Sequence, residues 1–261
     1  MTALEIENLS IRYGARPVVS DVSLRLERGR TIGLVGESGS GKSSIANAAV
    51  GLAPISSGDI RVNGVSAVGR GGRARAARRR MQLIFQDPYS ALDPRMPVGA
   101  SIAEATLATG RTWTRAQRRS RVRELLEQVH LDPDRAGALP SAFSGGQRQR
   151  ITIARALAGE PDVLIADEVT SALDVSVQST VLNLLRELLQ ALGLSIVFIS
   201  HNLAVVRYIS DAIHVMRDGG IVDSGPTESL LDNPSAPYTR ELLSAVPVLG
   251  ERMTFEETAE P

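Results

Sequence analysis

The residues best suited to chemistry are Gly36-Glu37-Ser38-Gly39-Ser40-Gly41-Lys42-Ser43. They satisfy G-x-x-x-x-G-K-[ST] at every fixed position. The spacing suits a phosphate chain. Glycines let successive backbone N–H groups curl around phosphate oxygens without Cβ obstruction. Lys42 would bring a mobile charge to the β- and γ-phosphates, and Ser43 a hydroxyl to Mg²⁺. Lys42 is the only lysine in the chain; histidines aside, every other basic residue is arginine. A compact ammonium differs from a planar fork, so a lone lysine in this pattern argues against a chance glycine-rich turn.

Two further groups could complete that chemistry. Asp162 to Glu168 is an apolar run ending in two acids. Asp167 could hold Mg²⁺ through water, and Glu168 could orient and polarise an attacking water. The plainer reading, acids capping the next helix, is outweighed by the phosphate loop upstream. Leu194 to Ile199 is another apolar run, followed by Ser200-His201. At the same sheet edge as Lys42, Asp167 and Glu168, His201 reads as a γ-phosphate contact. His130 and His214 lack that setting. Phe143-Ser144-Gly145-Gly146-Gln147 puts small residues at a helix start, which makes an anion site or simply an N-cap. Tyr13 is either a plate for a nucleotide base or a strand-end tyrosine packing on the sheet.

The elements that must hold these groups follow from periodicity. Leu4 to Ile11 and Val18 to Leu26 read as half-buried strands. Thr31 to Val35 is a buried strand into the phosphate loop, and Ser44 to Val50 a helix out of it. Strand, glycine loop and helix is the context the motif requires. Ser57 to Gly64 reads as turn, strand and turn, and Met81 to Phe85 as a strand ending at Gln86. Asp87 to Pro94 breaks regular structure. Residues from about 95 to 158 read as mostly helical, with the last helix from about Arg148 to Ala158. Val175 to Leu192 is an amphipathic helix stopped by Gly193. Ile213 to Met216 and Gly220 to Val222 read as terminal strands, and residues 227–249 as two helices broken at Asn233-Pro234. Runs buried on both faces indicate a parallel sheet, with ligand chemistry at its carboxyl edge.

The whole chain bounds the answer. Its 261 residues fit one large domain or one with an inserted subdomain. With no cysteine there is no disulfide, thiol catalysis or cysteine-held metal cluster. The N-terminus carries acids where a secretion signal needs basic and then apolar residues. No apolar run is long enough to span a bilayer, so a soluble chain in the cytoplasm is expected. Formal net charge is zero, and the arginine runs at Gly69 to Arg80 and Arg111 to Arg123 lack interleaved aromatics. They read as solvated helix faces, and no nucleic-acid partner is expected. The tail, residues 250–261, is acidic and poor in apolar residues, and is expected to be disordered.

Taken in order, these motifs resemble the ATP-binding subunit of an ABC transporter over about residues 4–249. Tyr13 matches the base-stacking aromatic, and residues 36–43 Walker A with Ser44 following. Gln86 matches the Q-loop glutamine. Ser144-Gly145-Gly146-Gln147 matches the family signature, with Phe143 where leucine is commonest. Val163 to Asp167 matches Walker B, Glu168 the catalytic glutamate, Ser171-Ala172-Leu173-Asp174 the D-loop and His201 the switch histidine. Val169 replaces the usual proline after the glutamate, with little effect expected. Phe85 to Arg95, Ser171 to Gln178 and Asn233 to Thr239 look like the oligopeptide, dipeptide and nickel importer subfamily. Some relatives bind an iron–sulfur cluster beyond the last segment; without cysteine this chain cannot do so that way.

The resemblance implies an α/β P-loop NTPase core with an N-terminal antiparallel β subdomain. A helical signature subdomain is inserted at about residues 88–158, and a C-terminal extension covers about residues 226–249. It implies ATP and Mg²⁺ as cofactors, the metal held by Ser43, Gln86 and Asp167. Nucleotide contacts would run from Tyr13 through Gly36 to Ser44 and Gln86, with Ser144 to Gln147 and Asp174 facing a second ATPase subunit, head to tail. Glu168 and His201 would carry the catalysis. Partners would be two membrane permeases, docked near residues 86–99, and an extracytoplasmic substrate-binding protein. The chain would sit peripherally on the cytoplasmic face of the membrane. The competing expectations are an ATPase of a soluble assembly, such as a phosphonate-degrading complex, and an idle nucleotide-binding module.

Overall fold

The computed structural model describes residues 1–171 and 173–244. Chain order begins with β1 (Thr2–Tyr13), β2 (Arg16–Glu27), β3 (Thr31–Val35) and α1 (Lys42–Ala49). Next come β4 (Ser57–Val62), β5 (Val65–Ser66), α2 (Gly72–Arg79), β6 (Met81–Ile84), α3 (Pro88–Ala91), α4 (Val98–Ala105), α5 (Arg115–Gln128) and α6 (Gly145–Ala158). The chain continues through β7 (Val163–Asp167), α7 (Val175–Leu192), β8 (Ser195–Ile199), α8 (Leu203–Ile209), β9 (Ala212–Arg217), β10 (Gly220–Pro226), α9 (Thr227–Asp232) and α10 (Pro237–Ser244).

Two sheets carry the fold. One is antiparallel, in the order β2-β1-β4-β5. The other runs β10-β9-β3-β8-β7-β6, with β9, β3, β8, β7 and β6 parallel and β10 antiparallel at the edge. Side chains alternate across each strand, and the parallel sheet uses both faces. Leu164 and Ala166 of β7, with Ile196 and Phe198 of β8, pack with residues of α4 to α8. Val163 and Ile165, with Val197 and Ile199, pack instead with α1 and the antiparallel sheet. The result is helices on one side, the parallel sheet in the middle, and α1 with the antiparallel sheet on the other. Asp167 shares the parity of Val163 and Ile165, so it lies on the face that carries α1.

The sequence reading holds for most of these elements, offers none for β5 or α8, and needs two corrections. Asp87 to Pro94 is not wholly irregular: Asp87 accepts hydrogen bonds from the backbone N–H groups of Tyr89 and Ser90, and Pro88 at the first helical position completes a one-turn helix. The helix expected from about Arg148 begins three residues earlier, at Gly145. Ser144 and Gln147 form a reciprocal capping box there, each side chain accepting the other's backbone N–H. The acidic tail, residues 245–249 of the expected extension and Ala172 lie outside the described residues.

Candidate functional site

The glycine loop connects β3 to α1, and its backbone needs glycine. Gly36, Gly39 and Gly41 have φ of +152°, +84° and +104°. A Cβ on Gly36 would lie 2.1 Å from the Met216 carbonyl oxygen, and one on Gly41 2.9 Å from that of Val18. The loop is thus seated between β2 and the end of β9. The Gly219 N–H closes the far side by donating to the Ser40 carbonyl at 3.2 Å. α1 starts at Lys42, which leaves the first-turn N–H groups of Lys42, Ser43 and Ser44 without intrahelical partners. They form a donor cluster at a positive dipole end.

Lys42 is 5% exposed. Its Nζ donates to the carbonyls of Gly36 (2.8 Å) and Glu37 (2.7 Å) and to Ser40 Oγ (3.2 Å). The loop's own oxygens thus take the place that phosphate oxygens could fill. Burial lowers the Lys42 pKa, while Glu168, Asp167 and Glu37 pull it back up. Burial raises Asp167 above the ordinary carboxylate value, against a hydrogen bond from Ser43 and the charge of Lys42, while Glu168 pushes the same way as burial. Asp167 Oδ1 is buried without a hydrogen-bond partner. An unsatisfied, ionisable oxygen beside a serine hydroxyl fits a hard cation that takes oxygen ligands.

Glu168 leaves the strand in a left-handed conformation, φ +47°, which is strained for a non-glycine residue. Local bonds fix it. Its N–H donates to the Ile199 carbonyl at 2.9 Å, and its carbonyl accepts from Ser171 N–H (3.1 Å) and Ser171 Oγ (2.9 Å). The turn brings the carboxylate between two neighbouring strand ends. Oε2 accepts from Gln86 Nε2 at 2.9 Å, beyond β6, and Oε1 lies 3.2 Å from His201 Nδ1, beyond β8. Glu168 is 18% exposed at its side chain and His201 59%. One carboxylate is therefore held and partly shielded, with an exposed imidazole at the solvent side. Gln86 Nε2 also reaches Ser171 Oγ at 3.4 Å. Ser171 is a neighbour that sequence reasoning placed only within a loop motif; no local pattern marks its hydroxyl.

The structure does not join every expected contact within one chain. Ser144, Gly145, Gly146 and Gln147 adjoin α7 and the α3 turn. A Cβ on Gly146 would lie 2.3 Å from Val177 Cγ1, and one on Gly145 3.8 Å from the Tyr89 hydroxyl. Among the described residues no hydrogen bond links residues 144–147 to residues 36–44. Asp174 caps α7, accepting from Val177 N–H at 2.9 Å and Ser176 Oγ at 2.7 Å. Those bonds hold its carboxyl below the ordinary value. Tyr13 is exposed at the end of β1. His130 and His214 lie apart from this cluster. Burial lowers the His214 pKa and its Nδ1 has no partner.

Known proteins share this architecture. A model of the ABC transporter family matches residues 19–171. The chain is similar to the oligopeptide transport ATP-binding protein OppF of Bacillus subtilis, 46% identical over 251 residues, which cover 94% of this chain and 82% of that protein. Among solved structures it is similar to cbiO1 from Clostridium perfringens, part of the ABC transporter complex cbiONQ. That match has a TM-score of 0.80 at 25% identity and covers 89% of this chain and 91% of the other. It is also similar to a dimeric post-hydrolysis ATP-binding cassette bound to ADP and Pi, with a TM-score of 0.73 at 26% identity over 86% and 98% of the two chains.

Proposed function

The chain belongs to the ABC transporter family, and from that premise we propose that it is the ATP-hydrolysing subunit of a peptide importer or of an importer for related substrates such as nickel. The observation that carries the mechanism is the convergence of Lys42, Asp167, Glu168, Gln86 and His201 on one edge of the parallel sheet. Lys42 exchanges its loop carbonyls for β- and γ-phosphate oxygens, and the first-turn N–H groups of α1 orient the phosphate chain. Glu168, fixed by Gln86 and by its own turn, accepts a proton from an attacking water and aims it. His201 turns from Glu168 to the γ-phosphate.

Magnesium, held by Ser43 and Asp167 with Gln86 nearby, would neutralise charge on the phosphoryl oxygens. The lack of a hydrogen bond between the phosphate loop and residues 144–147 among the described residues supports a head-to-tail pair, in which each subunit's signature residues and Asp174 complete its partner's site, and Tyr13 faces the base. Permease docking has a candidate place beside residues 86–99. There a groove of about 350 Å³ is lined by Ile84, Phe85, Ala91, Leu107 and Arg155. Phe85 and Leu107 are exposed. No helix of the described residues is long and apolar enough to cross a membrane. The membrane partners and a substrate-binding protein would then supply passage and selectivity.

The test is Glu168→Gln. It keeps size and hydrogen bonding but removes the base. It should bind ATP as the unchanged protein does and lose hydrolysis by roughly 100-fold or more. Unchanged turnover in the purified complex would remove Glu168 from the mechanism. Purification from native membranes with only soluble partners would overturn the importer reading.

A further inference from the structure

The segment Asn233 to Thr239 has no part in the chemistry above, yet it is tied down firmly. Asp223 of β10 gathers it: Oδ2 accepts from Ser235 N–H (3.1 Å), Ala236 N–H (3.0 Å) and Thr239 Oγ1 (2.9 Å), and Oδ1 from Ser235 Oγ (2.7 Å). Burial works against the charge, but these bonds outweigh it and hold the Asp223 carboxyl below its ordinary value. This anchor starts α10 and directs Tyr238 inward, where it is 4% exposed. The Arg217 guanidinium lies over its ring, 4.6 Å from the centroid.

The Tyr238 hydroxyl meets the phosphate loop, accepting from the Glu37 N–H at 3.1 Å. That N–H belongs to the Gly36–Glu37 peptide, whose carbonyl accepts from Lys42 Nζ at 2.8 Å. A trans peptide is planar, with N–H and C=O pointing opposite ways, so holding one end aims the other. The Met216 carbonyl, at the position where a Gly36 Cβ would stand, blocks displacement on that side.

We propose that Tyr238 is a positioning residue for ATP binding: through the Gly36–Glu37 peptide it presets the mouth of the phosphate loop and the rest position of Lys42. A loop already ordered loses less conformational freedom when phosphate enters, so affinity rises without a new ligand contact. The inference rests on Lys42 being a phosphate ligand. It makes α10 part of the nucleotide site's support rather than a separate appendage.

The experiment is Tyr238→Phe in the full chain. Phenylalanine keeps the ring beneath Arg217 and removes the acceptor, leaving the Glu37 N–H unpaired. ATP with Mg²⁺ is titrated calorimetrically, and hydrolysis is followed over a range of ATP concentrations. The Kd and KM for ATP should rise roughly five-fold, the effect of one lost hydrogen bond, while kcat at saturating ATP changes less than two-fold. Unchanged Kd and KM would overturn the proposal. So would kcat falling in step with a lowered Tm while KM stays constant, which marks a merely structural contact. Asp223→Asn, which loosens the whole segment, should shift KM the same way and serves if Tyr238→Phe cannot be purified. Lys42→Ala runs in parallel: if it binds ATP as the unchanged protein does, the phosphate-loop reading itself fails, independently of Tyr238.

Discussion

At the scale of single residues the site is built on opposed costs. Asp167 is buried, lacks a partner for Oδ1 and has its pKa raised, chiefly by burial. A carboxyl whose folded pKa exceeds its unfolded one stabilises the fold at low pH and loses that contribution as pH rises through the folded value. In chelator at neutral pH, Asp167 is therefore a liability to the nucleotide-free protein. Asp167→Asn should raise its Tm by about 2–4 °C, the shift that about 1 kcal/mol produces in a chain of this size, while removing Mg²⁺-dependent ATP hydrolysis. Scanning calorimetry beside an ATPase assay checks both, and a lower Tm would show that the Ser43 and Lys42 interactions outweigh burial. Glu168 illustrates what the sequence could and could not supply. Its type and place after an apolar strand marked it as a base, but its left-handed backbone depends on Ile199 and Ser171. No local pattern announces that.

At the scale of elements, helix starts are where function and packing meet. The capping box of Ser144 and Gln147 was present in the letters, and with it a helix beginning at Gly145 rather than near Arg148. The close approach behind Gly146 was not, because Val177 stands 31 positions later in sequence on α7. Glycine here is required by that contact. Gly146→Ala should gain helix propensity yet lose net stability by about 1–3 kcal/mol through overpacking. Val177→Ala added to it should restore most of the loss. Urea unfolding of the single and double variants decides the matter; equal stability of Gly146→Ala and the unchanged protein would mean that α6 and α7 separate freely.

At the scale of the whole molecule, residues 144–147 and residues 36–44, all among the described residues, have no hydrogen bond between them, and the pairing proposed above assigns them to different sites. Head-to-tail pairing of identical chains makes a specific prediction. Lys42→Ala and Ser144→Arg should each be inactive alone. Mixed one to one, they should recover roughly a quarter of the wild-type ATPase sites, because half the dimers are mixed and each has one intact site. Recovery marks a composite site built from two copies of this chain. Persistent inactivity of the mixture, with dimers present by light scattering, would rule that out and leave a paralogous ATPase as the partner.

The amino-acid sequence by itself determined the phosphate loop, the strands and helices beside it, the caps and the two acids at a strand end. Each of these depends on residues within a few positions of one another, and backbone sterics, periodicity and hydrogen-bonding valence act at that range. Only the tertiary structure decided the strand order β9-β3-β8-β7-β6, which sets His201 against Glu168 across 33 positions and Gln86 against it across 82. Only it placed Tyr238 on Glu37, 201 positions away. Such pairings are fixed by which apolar faces bury one another and by the register of neighbouring strands. That competition is settled over the whole chain at once, so no single stretch of sequence carries its outcome.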